Sequence, residues 1–179
     1  GQADPSACLF CPNGTTSDRS NPSETSCYEC AAGKYSVREQ LFTKNEWLKR
    51  QMCENCEIGK YSHARSSACL LCPTGKYATV PGLPSCVDCE AGKWSDATGS
   101  TSSAVCRACP AGKYSDTTGL DALDKCKPCS APPGYFCAEN STTAQGQECI
   151  EGYKCIGGDH DKVACLSGTF SAPSASTCL

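Results

Sequence analysis

The stretch CPAGKYSDTTG, residues 109–119, decides the fold of this chain because its first seven residues recur in four close variants. The variants are CAAGKYS at 30–36, CEIGKYS at 56–62, CPTGKYA at 72–78 and CEAGKWS at 89–95. Each begins at the second cysteine of a Cys-x-x-Cys pair, and successive pairs start 16 to 26 residues apart. Self-similarity at a short period is typical of a repeat array.

The composition indicates that disulfides hold these repeats together. Nineteen of the 179 residues are cysteines, above the proportion of about a tenth that marks a disulfide scaffold. Four Phe, two Trp, seven Tyr and one Met are too few for one large core. A disulfide that closes a loop of about 15 residues stabilises the fold by roughly 3 kcal/mol, and small modules rely on such cross-links. We expect small disulfide-rich repeats in an elongated tandem array, without a common hydrophobic core.

The same features predict an extracellular or cell-surface location, because disulfides persist only in oxidising surroundings. No stretch approaches the roughly 20 apolar residues of a membrane span, so we expect no membrane insertion in this segment. With a net charge of −3 and dispersed basic residues, the chain has no electrostatic footprint for nucleic acid. The chain opens in mid-pattern at Gly1 without a signal peptide, which predicts a mature or trimmed piece.

In every repeat except the seventh, a glycine lies three residues after the second cysteine, and most repeats have an aromatic residue two positions after the glycine. The glycine predicts a tight turn, and the aromatic ring is expected to cover the disulfide and pack on the next repeat. The polar stretches that follow predict loops, so we expect short β-hairpins and turns. The repeats are 1–29 (weak), 30–55 (with an insertion), 56–71, 72–88, 89–108 and 109–128, then variant repeats 129–148 and 149–164 and a partial ninth repeat 165–179.

The insertion in repeat 2 predicts one short helix near 37–52. Apolar residues in this segment fall at helical spacing, and Ser36 is a candidate cap. Such side chains are hard to hide on a thin rod. We therefore expect the insertion either to cover a neighbouring repeat or to contact a partner chain. The possible interface residues are Leu41, Phe42, Trp47 and Leu48.

Two disulfide pairings fit the spacing, and sequence alone does not decide between them. In the first, the second cysteine of each pair bonds to the first cysteine of the next: Cys11–Cys27, Cys30–Cys53, Cys56–Cys69, Cys72–Cys86, Cys89–Cys106 and Cys109–Cys126. In the second, pairs bond in parallel, as in Cys8–Cys27 with Cys11–Cys30. We favour the first, because it leaves Cys8 alone, with a partner in an upstream repeat or in another chain. The pairing from Cys129 to Cys178 stays open.

The phrase CPAGKYSDTTG followed by a further Cys-x-x-Cys resembles the ephrin-receptor-like cysteine-rich repeat, a relative of EGF-like and tumour-necrosis-factor-receptor modules. The resemblance covers Cys8 to about Cys129, and the insertion and Thr16, which replaces the aromatic residue, depart from it. Long arrays with the GKYS phrase look most like those of large extracellular proteins of algae and other protists, including mastigoneme components. The resemblance implies elongated rods, extracellular placement and protein–protein contact, and it implies no catalysis.

Other chemistry is weakly supported by the residues. Tandem Cys-x-x-Cys pairs without a break into fours do not favour a zinc site, and one exposed pair on a βα framework, which a redox role needs, is absent. Asp159 and Asp161 offer carboxylate oxygens for Ca²⁺, but the segment lacks the long, ordered run of ligands of a calcium-binding loop. His63 and His160 are the only histidines. We therefore expect no enzyme activity, no metal and no cofactor.

Two sequons predict N-linked glycans, at Asn13 and at Asn140. The Ser/Thr runs at 98–103, 115–118 and 171–177 are candidates for O-linked sugar or are simply solvated loops. We favour a non-enzymatic segment or subunit of a glycosylated extracellular filament or appendage, whose partners are copies of itself or other extracellular proteins. The alternative is the ectodomain stalk of a cell-surface receptor or adhesin. A secreted metal-buffering protein is a third, poorer interpretation.

Overall fold

The computed structural model describes residues 11–17, 27–43 and 46–179, with the backbone alone at Ser17, over 39–43 and over 46–50. Cys8 therefore lies outside the described residues. The chain divides into two compact units. The first unit contains Gly1–Cys72 and Ala78–Cys86, and the second contains Pro73–Tyr77 and Val87–Leu179.

Short antiparallel strand pairs form both units, as the repeat pattern predicts. In the first unit the strands are β1 (Thr15–Ser17), β2 (Cys27–Glu29), β3 (Lys34–Thr43), β4 (Glu46–Asn55), β5 (Lys60–Tyr61) and β6 (Leu70–Leu71). In the second they are β7 (Lys76–Tyr77), β8 (Val87–Asp88), β9 (Lys93–Trp94), β10 (Arg107–Ala108), β11 (Lys113–Tyr114), β12 (Lys127–Pro128), β13 (Tyr135–Phe136), β14 (Gln147–Glu148), β15 (Tyr153–Lys154) and β16 (Val163–Ala164). Each strand pairs with one neighbour in the chain, which gives eight two-stranded sheets among the described residues.

The turn that opens each hairpin has a simple chemical origin. In repeat 6 the N–H of Lys113 donates to the carbonyl of Pro110 at 3.0 Å, and Gly112 between them has a φ of 80°. A positive φ at the third residue of such a turn favours glycine, because a β-carbon would be strained there. Two short 3₁₀ turns, Ser103–Val105 and Leu123–Lys125, lead into the closing cysteines of repeats 5 and 6.

The predicted helix near 37–52 is wrong: the insertion forms a long hairpin. Strands β3 and β4 pair from Lys34↔Asn55 to Thr43↔Glu46. The disulfide between Cys30 and Cys53 holds the start and the end of the insertion 5.5 Å apart, measured between Cα atoms. A helix over these residues would separate its own ends by about 24 Å, at a rise of 1.5 Å per residue. The cross-link therefore favours a structure that returns to its origin.

The apolar spacing that suggested a helix has a different cause in the hairpin. Val37 faces Met52, Leu41 faces Leu48 and Phe42 faces Trp47 in the strand register. Residues that would share a helix face are thus cross-strand partners, which is the unit of stabilisation in antiparallel sheets.

Nine disulfides join the eighteen described cysteines. Six of them are the pairs of the first predicted scheme, from Cys11–Cys27 to Cys109–Cys126. The variant repeats are closed differently, by Cys129–Cys137, Cys149–Cys155 and Cys165–Cys178. In repeats 7 and 8 the opening cysteine bonds to a nearby cysteine, Cys137 or Cys155. The sequence separation of the bonded cysteines is therefore only 8 and 6.

The buried apolar side chains of the described residues form small local clusters rather than one core. In the first unit, Cys72, Ala78 and Cys86 pack with the half-buried Tyr61 and Leu83. In the second unit, Trp94 packs with Leu120 and the Cys109–Cys126 pair. A second cluster there contains Phe136 with Cys149 and Cys155. Disulfides and single aromatic rings thus provide the apolar interior at each step of the chain.

Candidate interaction surface at the repeat junction

The clusters show that the aromatic residue of one repeat packs on the disulfide of the next. Trp94 of repeat 5 is only 8% exposed and lies against the cysteines of repeat 6. Phe136 of repeat 7 is 1% exposed and lies against the cysteines of repeat 8. A large flat side chain buries much apolar area on so small a module. Repeats 3, 5 and 7 therefore each pack an aromatic ring on the disulfide of the repeat that follows.

Backbone hydrogen bonds reinforce the same junctions. Between repeats 5 and 6, the Gly92 N–H donates to Ser115 at 2.9 Å and the Gly92 carbonyl accepts from Cys109 at 2.8 Å. The Gly119 N–H donates to Cys89 at 2.8 Å across the same junction. A paired backbone group avoids the cost of burying an unmade hydrogen bond. Equivalent glycine bonds join Gly33 to Ser62, Gly59 to Ala78, Gly75 to Ser95, Gly112 to Cys137, Gly134 to Cys155 and Gly152 to Ser171.

Several of the turn glycines also contact the repeat after next. A β-carbon built on Gly75 of repeat 4 would lie 2.3 Å from the carbonyl oxygen of Gly119 in repeat 6. No side chain fits at that distance, so glycine is required by space as well as by φ. The other contacts of this kind are Gly14 with Arg65, Gly33 with Gly82, Gly92 with Asn140, Gly112 with Asp159 and Gly134 with Ser174.

A second set of contacts between neighbouring repeats involves side chains, and the sequence did not reveal it. The residue before the opening cysteine of one repeat lies beside a residue with a positive φ in the loop of the next repeat. Glu29 pairs with Arg65 at 3.3 Å, and the Ser174 hydroxyl donates to the Glu148 carboxylate. Where the loop residue is Gly119, the Asp88 carboxylate lies beside it. Of these three loop residues only Gly119 carried a sequence signal for a positive φ, because Arg65 and Ser174 are residue types that rarely adopt it.

Cations lie over the aromatic rings of several repeats. The Arg107 guanidinium lies 4.7 Å from the centre of the Trp94 ring and is held by Asp96 at 2.7 Å. Lys127 lies 5.7 Å from the centre of the Tyr114 ring and pairs with Asp116 at 2.8 Å. Cations over ring faces are attracted by the ring quadrupole. The Lys127 hydrogen bond lowers the pKa of the Asp116 carboxyl, and the same bond raises the pKa of Lys127.

The lysines of the GKYS phrase do not form a free cationic stripe. Lys60 pairs with Glu57 and Lys93 with Glu90, both at 2.9 Å, and Lys76 pairs with Asp88. The Lys60 ammonium hydrogen bond lowers the pKa of Glu57. Exposed ion pairs of this kind contribute little stability, but they neutralise three of the five lysines of the phrase. This arrangement fits a solvated face better than an anion-binding surface.

The side chains of both sequon asparagines are exposed. Asn13 lies in the turn between Pro12 and Thr15, and the Thr15 hydroxyl donates to the Pro12 carbonyl at 2.6 Å. Asn140 has a φ of 65° and is the loop residue that contacts Gly92. Glycosylation at both positions stays a prediction.

The base of the insertion packs on repeat 1 of the same chain. The buried Gln51 amide donates to Thr15 at 2.7 Å and to Cys11 at 3.2 Å. Arg38 donates to the Cys11 carbonyl at 3.1 Å, and the Thr16 hydroxyl donates to the Gln51 carbonyl at 2.8 Å. The near half of the hairpin is therefore a local brace. The side chains of the predicted interface residues, Leu41, Phe42, Trp47 and Leu48, lie outside those that the structure describes.

The histidines and aspartates considered as catalytic or metal-binding residues each have local contacts of their own. His63 packs edge-on against Tyr61, and His160 contacts Asp159 at 3.3 Å. Asp161 accepts a hydrogen bond from the backbone of Lys162. Every described cysteine is in a disulfide, and no cluster of three or more metal-ligating side chains occurs in residues 11–17, 27–43 and 46–179. An open groove of about 390 Å³ in the second unit includes Tyr77, Glu90, Lys93 and Ser103, and its two charges pair with each other.

The geometry defines a class: tandem repeats that are each closed by a disulfide and joined to the next by a glycine hydrogen bond, with an aromatic contact at three of the junctions. Residues 59–106 match the family described as tyrosine-protein kinase ephrin type A/B receptor-like, so these residues are ephrin-receptor-like cysteine-rich repeats. The same disulfide pattern extends on both sides of the match. The chain is thus an extracellular, disulfide-rich domain. Comparison with curated proteins gives no match. No helix among the described residues is long and apolar enough to cross a membrane.

Proposed function

We propose that this chain is a non-enzymatic structural segment or subunit of a glycosylated extracellular filament or surface appendage, of the mastigoneme type. The observation that carries the proposal is the repeat junction. Glycine hydrogen bonds recur at successive junctions and rings pack on disulfides at three of them, so the interior of the molecule is used to join repeats to one another. Such contacts fix the position of one repeat relative to the next, and this role needs no pocket for a ligand.

The contact with the repeat after next strengthens this interpretation. Because Gly75 touches Gly119 and Gly92 touches Asn140, repeats 4 and 5 are each held by the two repeats that follow them. In repeat proteins, stability arises from interfaces between neighbours. Contacts that skip a neighbour limit bending at the junction between them. Resistance to bending suits a filament or a spacer.

Glycans on exposed loops would suit the same role, because they keep a long surface hydrated. Asn13 and Asn140 are the proposed N-linked sites, and the Ser/Thr-rich loops are O-linked candidates. Intact-mass measurement before and after enzymatic removal of N-glycans tests the first part. Loss of mass in the native protein, absent from an Asn13→Gln/Asn140→Gln variant, is expected. An unchanged mass would remove the glycan from the proposal.

A receptor or adhesin stalk is the second candidate, and the family match favours it. The matching family is described by receptor kinases, in which such repeats would hold a separate binding module away from a membrane. The junction geometry serves a stalk as well as a filament. The two proposals differ in the surroundings of the chain. Only the filament proposal expects copies of the chain to be packed along one fibre.

Immunogold electron microscopy of native material tests the proposal. An antibody raised against this chain should label fibres at regular intervals along their length. Label confined to plasma membrane, with the chain extracted by detergent together with a membrane anchor, would favour the stalk and contradict the filament.

A further inference from the structure

In repeats 3 to 6 a disulfide joins the start of each repeat to its end. The bonded cysteines are 13 to 17 positions apart, and two residues separate each closing cysteine from the next opening one. These two residues form a strand, as in Arg107–Ala108 and Lys127–Pro128, and a strand is already close to its full length. Tension along the chain therefore passes through disulfides and extended segments, so repeats 3 to 6 have little length to release.

In repeats 7 and 8 the disulfides join cysteines that are much closer in sequence, only 8 and 6 positions apart. Residues 138–148 and 156–164 follow them, and in this described part of the chain no disulfide spans either stretch. We call these two stretches the unbridged loops. Fully extended, the first would span about 40 Å between its flanking cysteines and the second about 35 Å. Tension can therefore pull the unbridged loops out without breaking a covalent bond.

The strand register shows which residue replaces the closing cysteine in repeat 8. In repeat 6 the residue after the closing cysteine is Lys127, and it pairs with Tyr114. The equivalent pair in repeat 8 is Lys154↔Val163, and the residue before Val163 is Lys162. Lys162 therefore stands in the position of a closing cysteine. The strand pair also holds the two ends of the unbridged loop close together.

Non-covalent contacts hold both unbridged loops in the fold. The Lys162 ammonium lies 4.9 Å from the centre of the Phe136 ring and 5.2 Å from the centre of the Tyr153 ring, and ring faces attract cations. In repeat 7 the Ser130 N–H donates to the Ala144 carbonyl at 3.0 Å. Contacts of this kind break and re-form without a chemical reaction, whereas a closing disulfide does not.

We propose that repeats 7 and 8 are an extensible element of this chain. Under tension the unbridged loops open and close again while the disulfides stay intact, and Lys162 is the contact that releases the loop of repeat 8. Because paired strands hold the ends of each loop together, each opening lengthens the chain by about 2 to 3 nm. Repeats 3 to 6 keep their length under the same tension. This property serves a filament and a stalk alike, so the inference goes beyond the proposed function and does not rest on it.

Single-molecule force spectroscopy of the full, oxidised chain tests the proposal, with DNA handles joined to azide-bearing residues at exposed positions. Handles at Ala108 and Leu179 place both unbridged loops between them. The expected result is two reversible steps of about 2 to 3 nm each. Handles at Leu71 and Ala108 are the matched control, because the chain between them is repeats 4 and 5, and they should give no step. No step between Ala108 and Leu179, or equal steps in both arrangements, would overturn the proposal.

Two variants of repeat 8 assign its step. Cys155→Ser/Lys162→Cys gives this repeat the arrangement of repeat 6, where Ser115 and Cys126 hold the two positions. With the bond from Cys149 to position 162 verified by peptide mapping, one of the two steps should disappear, and persistence of both would contradict the proposal.

Lys162→Met keeps the natural disulfides and needs no new one. The step of repeat 8 should keep its length, and the loop should open about twofold to fivefold faster at the same force, because the cation–π contacts are lost. An unchanged opening rate would overturn the role of Lys162. These measurements report extension of single chains, and electron microscopy of native material reports their assembly, so failure of the one is distinguishable from failure of the other.

Discussion

Gly112 of repeat 6 lies directly beneath the carbonyl oxygen of Asp159 in repeat 8: a β-carbon on Gly112 would come within 2.0 Å of that oxygen. The contact passes over repeat 7, so the packing of one repeat depends on the two that follow it. A glycine that seems to serve only a local turn is thereby also a long-range contact. This relationship makes the strongest predictions about single substitutions.

Gly112→Ala should destabilise repeats 6 to 8, because alanine meets both a positive φ and the Asp159 carbonyl. The conformational strain alone costs about 1–3 kcal/mol, and the overlap adds to it. Gly152→Ala is the matched control: φ is 81° there but nothing lies within 4 Å. Denaturant unfolding with hydrogen exchange measures both variants. Equal losses of stability in the two would contradict the contact with Asp159.

Phe136→Ala should destabilise repeats 7 and 8 by about 3–5 kcal/mol, the usual cost of removing a buried aromatic ring. Its neighbour Tyr135 lies on the same strand but is 37% exposed, against 1% for Phe136. Tyr135→Ala should therefore change the free energy of unfolding by about 0.5 kcal/mol or less. Hydrogen exchange should place the Phe136→Ala effect in the second unit. A similar cost for both substitutions would argue against the ring-on-disulfide junction.

The Asp116–Lys127 pair predicts a small acid sensitivity. The pKa of Asp116 is lowered from its usual 3.8 in the folded chain. Its contribution to stability is therefore present above that value and is lost as pH falls through the lowered pKa. The pKa of Lys127 is raised from 10.5, so its contribution is lost as pH rises through the raised value.

Thermal unfolding of Asp116→Asn against the parent measures this effect. The difference in Tm should be present at neutral pH and shrink below about pH 3.8. Asp124→Asn, at an exposed carboxylate of the same repeat, is the control and should follow the parent. A Tm difference for Asp116→Asn that stays constant through the acid range would mean that the pair does not contribute to stability.

Phe42→Ser/Trp47→Ser tests the proposed partner contact of the long hairpin. The two residues face each other in the strand register, so their replacement removes one cross-strand apolar pair without touching a cysteine. We expect weaker lateral association of copies with the disulfides intact, because each ring is worth roughly 25 cal/mol per Å² of apolar area removed from water. Light scattering and thiol titration measure the two properties. Association equal to the parent would leave the hairpin as a local brace only.

Much of the fold could be predicted from sequence because its determinants are local. A glycine three residues after a cysteine favours the turn seen at Gly112. The short segments between successive Cys-x-x-Cys pairs favour a bond between neighbouring cysteines, as in Cys109–Cys126. The insertion was misjudged because Leu41 and Leu48 satisfy helical spacing and hairpin register equally well. The Cys30–Cys53 disulfide distinguishes the helix from the hairpin, because it brings the two ends of the insertion together.

The junction contacts were only partly predictable. The ring on the neighbouring disulfide followed from the presence of one aromatic residue per repeat, as in the case of Trp94. The contact of Gly75 with Gly119 did not, because nothing in a local pattern states which distant loop will come near. The pairing of Glu29 with Arg65 is a side-chain match between repeats, and it became visible only once their relative position was known.

Disulfide mapping of the full chain by mass spectrometry of non-reduced peptides tests the central claim most directly. Every junction depends on repeats closed by their own disulfides, so the chain should yield peptides linked as Cys30–Cys53, Cys56–Cys69 and Cys89–Cys106, with Cys149–Cys155 in the variant region. Parallel linkages such as Cys8–Cys27 with Cys11–Cys30, or a majority of free thiols, would contradict the repeat architecture and the function built on it.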